Sequence, residues 1–261
     1  VPYEFITTEA RGHVWTMGLN RPAKRNAFTM QMLAELGHAY AELEANPDLR
    51  CGLLFAHGGH FTGGIDLKEF GPAFAKLPDP MAPAPDGVDP LDVRSRRSKP
   101  VVMAAQGICF TIGVELMLAS DIVVAASDCR FALLEVQRGL YPLCGGTFRF
   151  VRHAGWGPAM RWLLTGDEFG AAEALRMGLV QEVCEPAATL ATAERIAHRI
   201  AEAAPLGVAA ARASAWTFVD GGEAEAIQRL HEWMPRIAHS DDYEEGIRSF
   251  VERRPAKFTG R

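Results

Sequence analysis

Two glutamates stand where carboxylates are expensive. Glu115 lies in the run Val101–Ala126 (VVMAAQGICFTIGVELMLASDIVVAA), and Glu135 lies in Phe131–Val136 (FALLEV). A bare carboxylate in such apolar surroundings is costly unless it is protonated, hydrogen-bonded or turned toward a ligand. Two of them brought together by the fold can divide acid and base work. Two glycine-rich segments accompany them, His57–Asp66 (HGGHFTGGID) and Gly139–Gly146 (GLYPLCGG). Glycine turns present backbone N–H groups at close range, and converging N–H groups stabilise negative charge developing on a carbonyl oxygen. A helix starting near Gly113 would aim its positive end at the same point. The chemistry suggested is proton transfer beside a polarised carbonyl.

Other chemistries lack their signatures. There is no GxGxxG, no P-loop lysine, no GxSxG elbow and no HExxH. The nearest histidine pair, His57 and His60, lacks metal-like spacing, so no metal site is expected. Five scattered cysteines (Cys51, Cys109, Cys129, Cys144, Cys184) form no CxxC, which fits a reducing compartment. A net charge of -5 gives no global case for nucleic acid or an anionic membrane. The opening run is the one stretch long enough to suggest a membrane span, but Glu115 and Asp121 interrupt it and Gly107 and Gly113 divide it. With 48% hydrophobic residues the 261-residue chain can bury a large core. The N-terminal VPYEF lacks the pattern of a signal peptide.

The elements that must position these groups alternate. Glu4–Thr8 and His13–Leu19 read as a hairpin around Ala10-Arg-Gly12. Thr29 is the expected N-cap of a helix with Met32, Leu33, Leu36, Tyr40 and Leu43 on its inner face, stopped at Asn46-Pro47. Cys51–Ala56 reads as a buried strand, Leu67–Phe74 as a helix and 78–90 as a proline-rich loop. Arg94, Arg96, Arg97 and Lys99 read as one solvated helix face over Asp92–Lys99. Val101–Ala105 and Ile122–Ala126 are strands, with a turn at Gly107–Thr111 and a helix at Gly113–Ser120 between them. Phe131–Val136 begins another element, and Leu179–Cys184 is the last strand signal. Helices are expected over Ala187–Ala204, Leu206–Phe218, Glu223–Ala238 and Asp241–Arg253, with breaks at Pro205, Gly221-Gly222 and Ser240. This divides the α/β chain into a core to residue 205 and a helical part, 206–261, with no obvious internal repeat.

Four blocks carry a resemblance: Leu19–Ala27 (LNRPAKRNA), Phe61–Leu67 (FTGGIDL), Gln106–Leu116 (QGICFTIGVEL) and Ala119–Ile122 (ASDI). They are similar to the signature blocks of the crotonase superfamily, specifically enoyl-CoA hydratases. Leu164–Gly166 (LTG), Ala171–Val180 (AAEALRMGLV) and Glu245–Lys257 (EGIRSFVERRPAK) extend the likeness nearly end to end.

The resemblance implies a spiral core of β-β-α turns and C-terminal helices that assemble trimers or dimers of trimers. It implies acyl-CoA thioesters as partners, no nucleic acid, no membrane, and a cytoplasmic lyase of fatty acid metabolism. By position, the backbone N–H groups of Ile65 and Ile112 would hold the thioester oxygen, and Glu115 and Glu135 would be the hydratase glutamates around one water. The Leu143 N–H would help place that water. Lys24, Ala27, Gly64, Asp66, Leu67 and Lys68 fall where the family lines its CoA channel, and Lys257 and Phe258 resemble a tail reaching a neighbouring subunit's CoA. No metal or other cofactor is required, coenzyme A being part of the substrate. Alternatives are isomerisation by the same oxyanion hole, an acyl-CoA-binding member without catalysis, or an RNA-binding member using Arg94–Lys99.

Departures accompany the likeness. Thr111-Ile112 stand where relatives carry successive glycines, Leu133-Leu134 replace a glutamine-proline lead-in to Glu135, and the 78–90 segment is long. Glu115 also has a reading as a cap of its own helix, and Glu135 as a surface residue beside Arg138. Asp66 and Asp121 read as structural caps rather than catalysts.

Overall fold

A computed structural model describes residues 3–261. Strand β1 (Ile6–Arg11) turns tightly at Gly12, whose φ is +60°, into antiparallel β2 (Val14–Leu19), with Arg11 opposite Val14. Helix α1 (Met30–Ala45) starts where Thr29 Oγ1 accepts the Met32 N–H at 3.0 Å and ends at Asn46. Its expected inner face is buried, and Ala39 joins it. Strand β3 (Cys51–Ala56) then runs parallel to β2. Helix α2 (Leu67–Lys76), strands β4 (Val101–Ala105) and β5 (Ile108–Phe110), helix α3 (Ile112–Ala119) and strands β6 (Ile122–Ala126) and β7 (Arg130–Ala132) follow. Gly107–Thr111, read as a turn, therefore contains a strand. Its pairing partner, β7, is twenty residues away, and local composition carries no trace of it.

These segments repeat one plan. A strand in the large sheet, a short extended segment in a second layer and a helix form each turn: β2, Phe28, α1; β3, Thr62–Ile65, α2; β4, β5, α3. The fourth turn is β6, β7 and a 3-10 turn (Leu134–Arg138) leading to α4 (Gly146–Ala154). Bridges Phe28–Ile65 and Thr62–Cys109 and the β5–β7 pairing align the second layer in parallel. The repeat is one of connection, with different residues in each turn, which is why it leaves no sequence periodicity.

Helix α5 (Trp156–Thr165), strand β8 (Phe169–Gly170) and helix α6 (Ala171–Arg176) lead to β9 (Glu182–Cys184), which completes the six-stranded order β1-β2-β3-β4-β6-β9. Alternation along the strands fills both faces of this sheet. Val101, Met103 and Ala105 of β4 enter the main core, while Val102 and Ala104 meet Ala193, Ala197 and Ala201 of α7 (Thr189–Ala201). Alanines four apart let α7 lie close against the sheet.

Helix α8 (Pro205–Gln228) runs through the expected break at Gly221-Gly222 as a kink, Gly222 having φ 77° and ψ −177°. Helices α9 (Met234–Ala238) and α10 (Asp241–Glu252) follow, and Ser240 caps α10 by accepting from Tyr243 N–H. No helix among the described residues is long and apolar enough to cross a membrane.

Asp92–Lys99 is not a helix and not a solvated face. Arg97 is buried between Asp92 and Asp121, each at 2.8 Å, and Arg212 of α8 reaches the same two carboxylates at 3.3 and 2.8 Å. Arg94 pairs with Asp79 and Asp89, Arg96 with Asp220, and Lys99 Nζ donates to the Leu43 and Asn46 carbonyls at the end of α1. Each charge is consumed in joining segments. Asp121 is thus structural as read, but as an ion-pair partner and acceptor of the Val101 N–H rather than a helix cap.

Candidate active site

Helix α3 carries Glu115 in its first turn, buried to 3% exposure. Its Oε1 accepts backbone N–H groups from Cys144 at 2.6 Å and Gly146 at 3.1 Å. Both donors come from the second glycine segment. Gly145, at φ +94°, takes a left-handed turn there, and a Cβ on Gly146 would press within 3.1 Å of the same oxygen. Burial raises the Glu115 carboxyl to about 7 against the pull of these donors and of Arg149. Glu115 therefore does not serve merely as a cap of its own helix.

Glu135 sits on the 3-10 turn after β7. Its Oε2 is closed off from solvent and finds no hydrogen-bond partner among the described residues. Burial, then the charge of Glu115, pushes this carboxyl up to about 8. No ion pair with Arg138 forms, so the surface reading fails. Both carboxylates line one cavity, together with Ile65, Leu67, Ile112 and Leu143.

Two N–H groups at this cavity are uncommitted. The bridge between Phe28 and Ile65 uses the Gly64 carbonyl and the Asp66 N–H, each at 2.8 Å, so the Ile65 N–H faces the other way. Ile112 opens α3, and its N–H is one of those a helix start leaves unpaired. Among the described residues neither donates a hydrogen bond within the chain, nor does the Leu143 N–H.

The remaining expected positions sit elsewhere. Gly64 precedes Ile65 with φ +110°, and Asp66 caps α2 through the Lys68 N–H while pairing with Arg21 at 3.2 Å. Lys24 and Lys68 are exposed and Ala27 is half-buried; none of these three lines the cavity. Lys257 and Phe258 also lie outside it: the Lys257 N–H is held by Glu245, and the Phe258 carbonyl accepts from Arg50 at 2.9 Å. The histidines are locally engaged, His57 with Thr7 Oγ1 and His60 with the Ile108 N–H. Among the described residues no three His, Cys, Asp or Glu side chains gather as a metal site.

Sequence reasoning missed the donors of Cys144 and Gly146, which the pair Gly145-Gly146 announces only as a turn. It also missed Phe74 and Met81, which add apolar wall to the cavity. Met81 comes from the proline-rich loop, where buried Asp89 accepts the N–H groups of Leu91, Val93 and Arg94. Nothing in the local composition marks it.

A four-turn β-β-α spiral with uncommitted N–H groups and two carboxylates on one cavity is the architecture of the crotonase class. Comparison with known proteins gives the family. The enoyl-CoA hydratase/isomerase profile matches residues 9–261, and the chain belongs to that family. It is 34% identical to enoyl-CoA hydratase EchA19 of Mycobacterium tuberculosis, over 97% of this chain and 96% of that protein. It is 32% identical to 1,2-epoxyphenylacetyl-CoA isomerase of Escherichia coli, over 99% of each. The crystal structure of a probable enoyl-CoA hydratase/isomerase from Mycobacterium abscessus superposes with a TM-score of 0.96 at 42% identity, covering 100% of both chains. The chain is an enzyme of the hydratase-like lyase type, with the family's CoA-thioester chemistry.

Proposed function

We propose that this enzyme adds water across the double bond of a 2-enoyl-CoA thioester to give the 3-hydroxyacyl-CoA. The observation that carries the reading is the pair Glu115 and Glu135 on a cavity that also holds the uncommitted Ile65 and Ile112 N–H groups. The two N–H groups take the thioester oxygen and stabilise the enolate charge that grows on it. One water lies between the carboxylates, helped by the Leu143 N–H. The ionised carboxylate takes a proton from the water as its oxygen bonds to C3, and the protonated carboxyl delivers a proton to C2 on the same face. Water is consumed whole, and no cofactor beyond the substrate's own coenzyme A takes part.

The CoA moiety runs past Lys24, Ala27, Gly64, Asp66, Leu67 and Lys68, and a neighbouring subunit's Lys257 and Phe258 close over it in a trimer or dimer of trimers. The five free cysteines favour a reducing compartment, the cytoplasm. Isomerisation is the second reading, because an oxyanion hole serves any thioester enolate and one relative is named as an isomerase. A panel of 2-enoyl-CoA esters from crotonyl upward, followed by loss of the conjugated thioester absorbance, tests hydration. Turnover on at least one chain length is expected. No turnover at any length, with conversion of 3-enoyl-CoA esters instead, would replace hydration by isomerisation.

A further inference from the structure

Thr111 holds a backbone conformation that a β-branched residue rarely adopts, φ 51° and ψ −112°. Conformations of this kind persist where the surroundings enforce them, and they cluster at functional sites. Its side chain adds a second anomaly. Thr111 lines the cavity, yet Oγ1 is closed off from solvent and has no hydrogen-bond partner among the described residues. A buried hydroxyl without a partner is unfavourable, and a polar atom left so in a ligand cavity points to the ligand as its partner.

Its position says which atom of the ligand. Oγ1 faces the α-carbon of Gly64, so closely that a Cβ built there would collide with it. Gly64 immediately precedes Ile65, and Thr111 immediately precedes Ile112. The hydroxyl therefore lies between the two segments whose N–H groups are uncommitted. We propose that the Thr111 hydroxyl is a third hydrogen-bond donor to the thioester oxygen, beside the N–H groups of Ile65 and Ile112. This rests on a CoA thioester binding here with its oxygen at those N–H groups, and not on hydration being the reaction that follows. A hydroxyl brings one donor, and the bond strengthens as charge grows on the oxygen, so its contribution falls on the transition state. A helix start of this shape is made most cheaply with glycine; threonine accepts strain to bring the hydroxyl.

The test uses T111V, which keeps the branched shape, T111S, which keeps the hydroxyl, and T111G, which removes both hydroxyl and strain. The probe is 4-(dimethylamino)cinnamoyl-CoA, whose absorbance moves to the red when its carbonyl is polarised and which reports without turnover. Wild type and T111S should shift the bound probe equally, and T111V and T111G should shift it less. On an enoyl-CoA substrate T111V and T111G should lose about 10- to 100-fold in kcat/KM, with T111S close to wild type. T111G should melt at a higher temperature than wild type while being slower. Equal red shifts in wild type and T111V would overturn the proposal, as would a T111G as fast as wild type. Failure of T111S to restore the shift, or a wild-type complex without any shift, would also overturn it. A normal red shift without turnover would sink the hydratase reading alone.

Discussion

Glu115 and Glu135 face one cavity, but only Glu115 is held: its Oε1 accepts two backbone N–H groups, while Glu135 Oε2 is buried without a donor. Burial pushes both carboxyls up, to about 7 and about 8, and the charge of Glu115 adds to the rise at Glu135. Around neutral pH the pair holds one proton and one charge, the state a hydratase needs for one acid and one base. The hydration kcat/KM should therefore peak between about 7 and 8 and fall on both sides. A profile flat from about pH 5 to 10 would remove the pair from the chemistry.

The two carboxylates differ in what their amides should do. In E115Q the amide oxygen still accepts from Cys144 and Gly146, so the loop should stay in place while the acid-base function is lost. In E135Q no protein hydrogen bond is disturbed. Each variant should fold and lose about 10²- to 10⁴-fold in kcat with little change in thioester binding. Steady-state kinetics with binding of a non-hydratable acyl-CoA separates the two effects, and an unchanged kcat for either variant would exclude that residue.

Stability should carry the same signature. Because the folded carboxyl of Glu135 holds its proton up to about 8, above the ordinary value of 4.5, the native state binds more protons than the unfolded chain between those limits. Unfolding free energy then falls as pH rises through that window, and the contribution is fully present only below it. E135Q cannot ionise, so it should lose less stability than wild type between pH 5 and 9, by roughly 1–3 kcal/mol. Urea unfolding at the two pH values measures it. Parallel losses in both proteins would mean that Glu135 is well solvated.

What was legible in the sequence followed chain distance. Thr29 as a cap, Cys51–Ala56 as a strand and the kink at Gly222 are set by neighbouring residues, and they lie where the pattern puts them. The isolation of Glu115 and Glu135 was visible because a carboxylate among apolar residues breaks a local rule. Their sharing of one cavity was not, since it depends on the third and fourth turns of the spiral lying side by side. Arg97 shows the opposite failure. Its charged neighbours suggest solvent, whereas its partners Asp121 and Arg212 come from segments 24 and 115 residues away.

That buried network should be costly to break. Arg97 lies between Asp92 and Asp121 with Arg212 on the far side of both, joining the loop before β4, the start of β6 and helix α8. R97M fills similar volume but leaves two buried carboxylates with one guanidinium. The expected loss is about 3 kcal/mol in urea unfolding, the lower part of the range for removing one member of a buried ion pair. A loss below about 1 kcal/mol would show that Arg212 alone satisfies both carboxylates.

The C-terminal helices leave an apolar surface that a lone chain has no use for. Phe250 is 85% exposed and Val251 73%, and Phe218, Ile227 and Leu230 are exposed on the neighbouring helices. Exposed patches of this kind mark association surfaces. The proposed trimer covers them and brings Lys257 and Phe258 to a neighbour's CoA. F250E with V251E places two charges in that contact and should convert the assembly to monomers in light scattering after gel filtration. If the tail completes the neighbour's site, the monomer should keep Glu115 and Glu135 in place and lose affinity first. KM for the enoyl-CoA should rise about tenfold or more while kcat falls less. A monomer with unchanged KM would confine Lys257 and Phe258 to their own chain, where Glu245 and Arg50 already hold the segment.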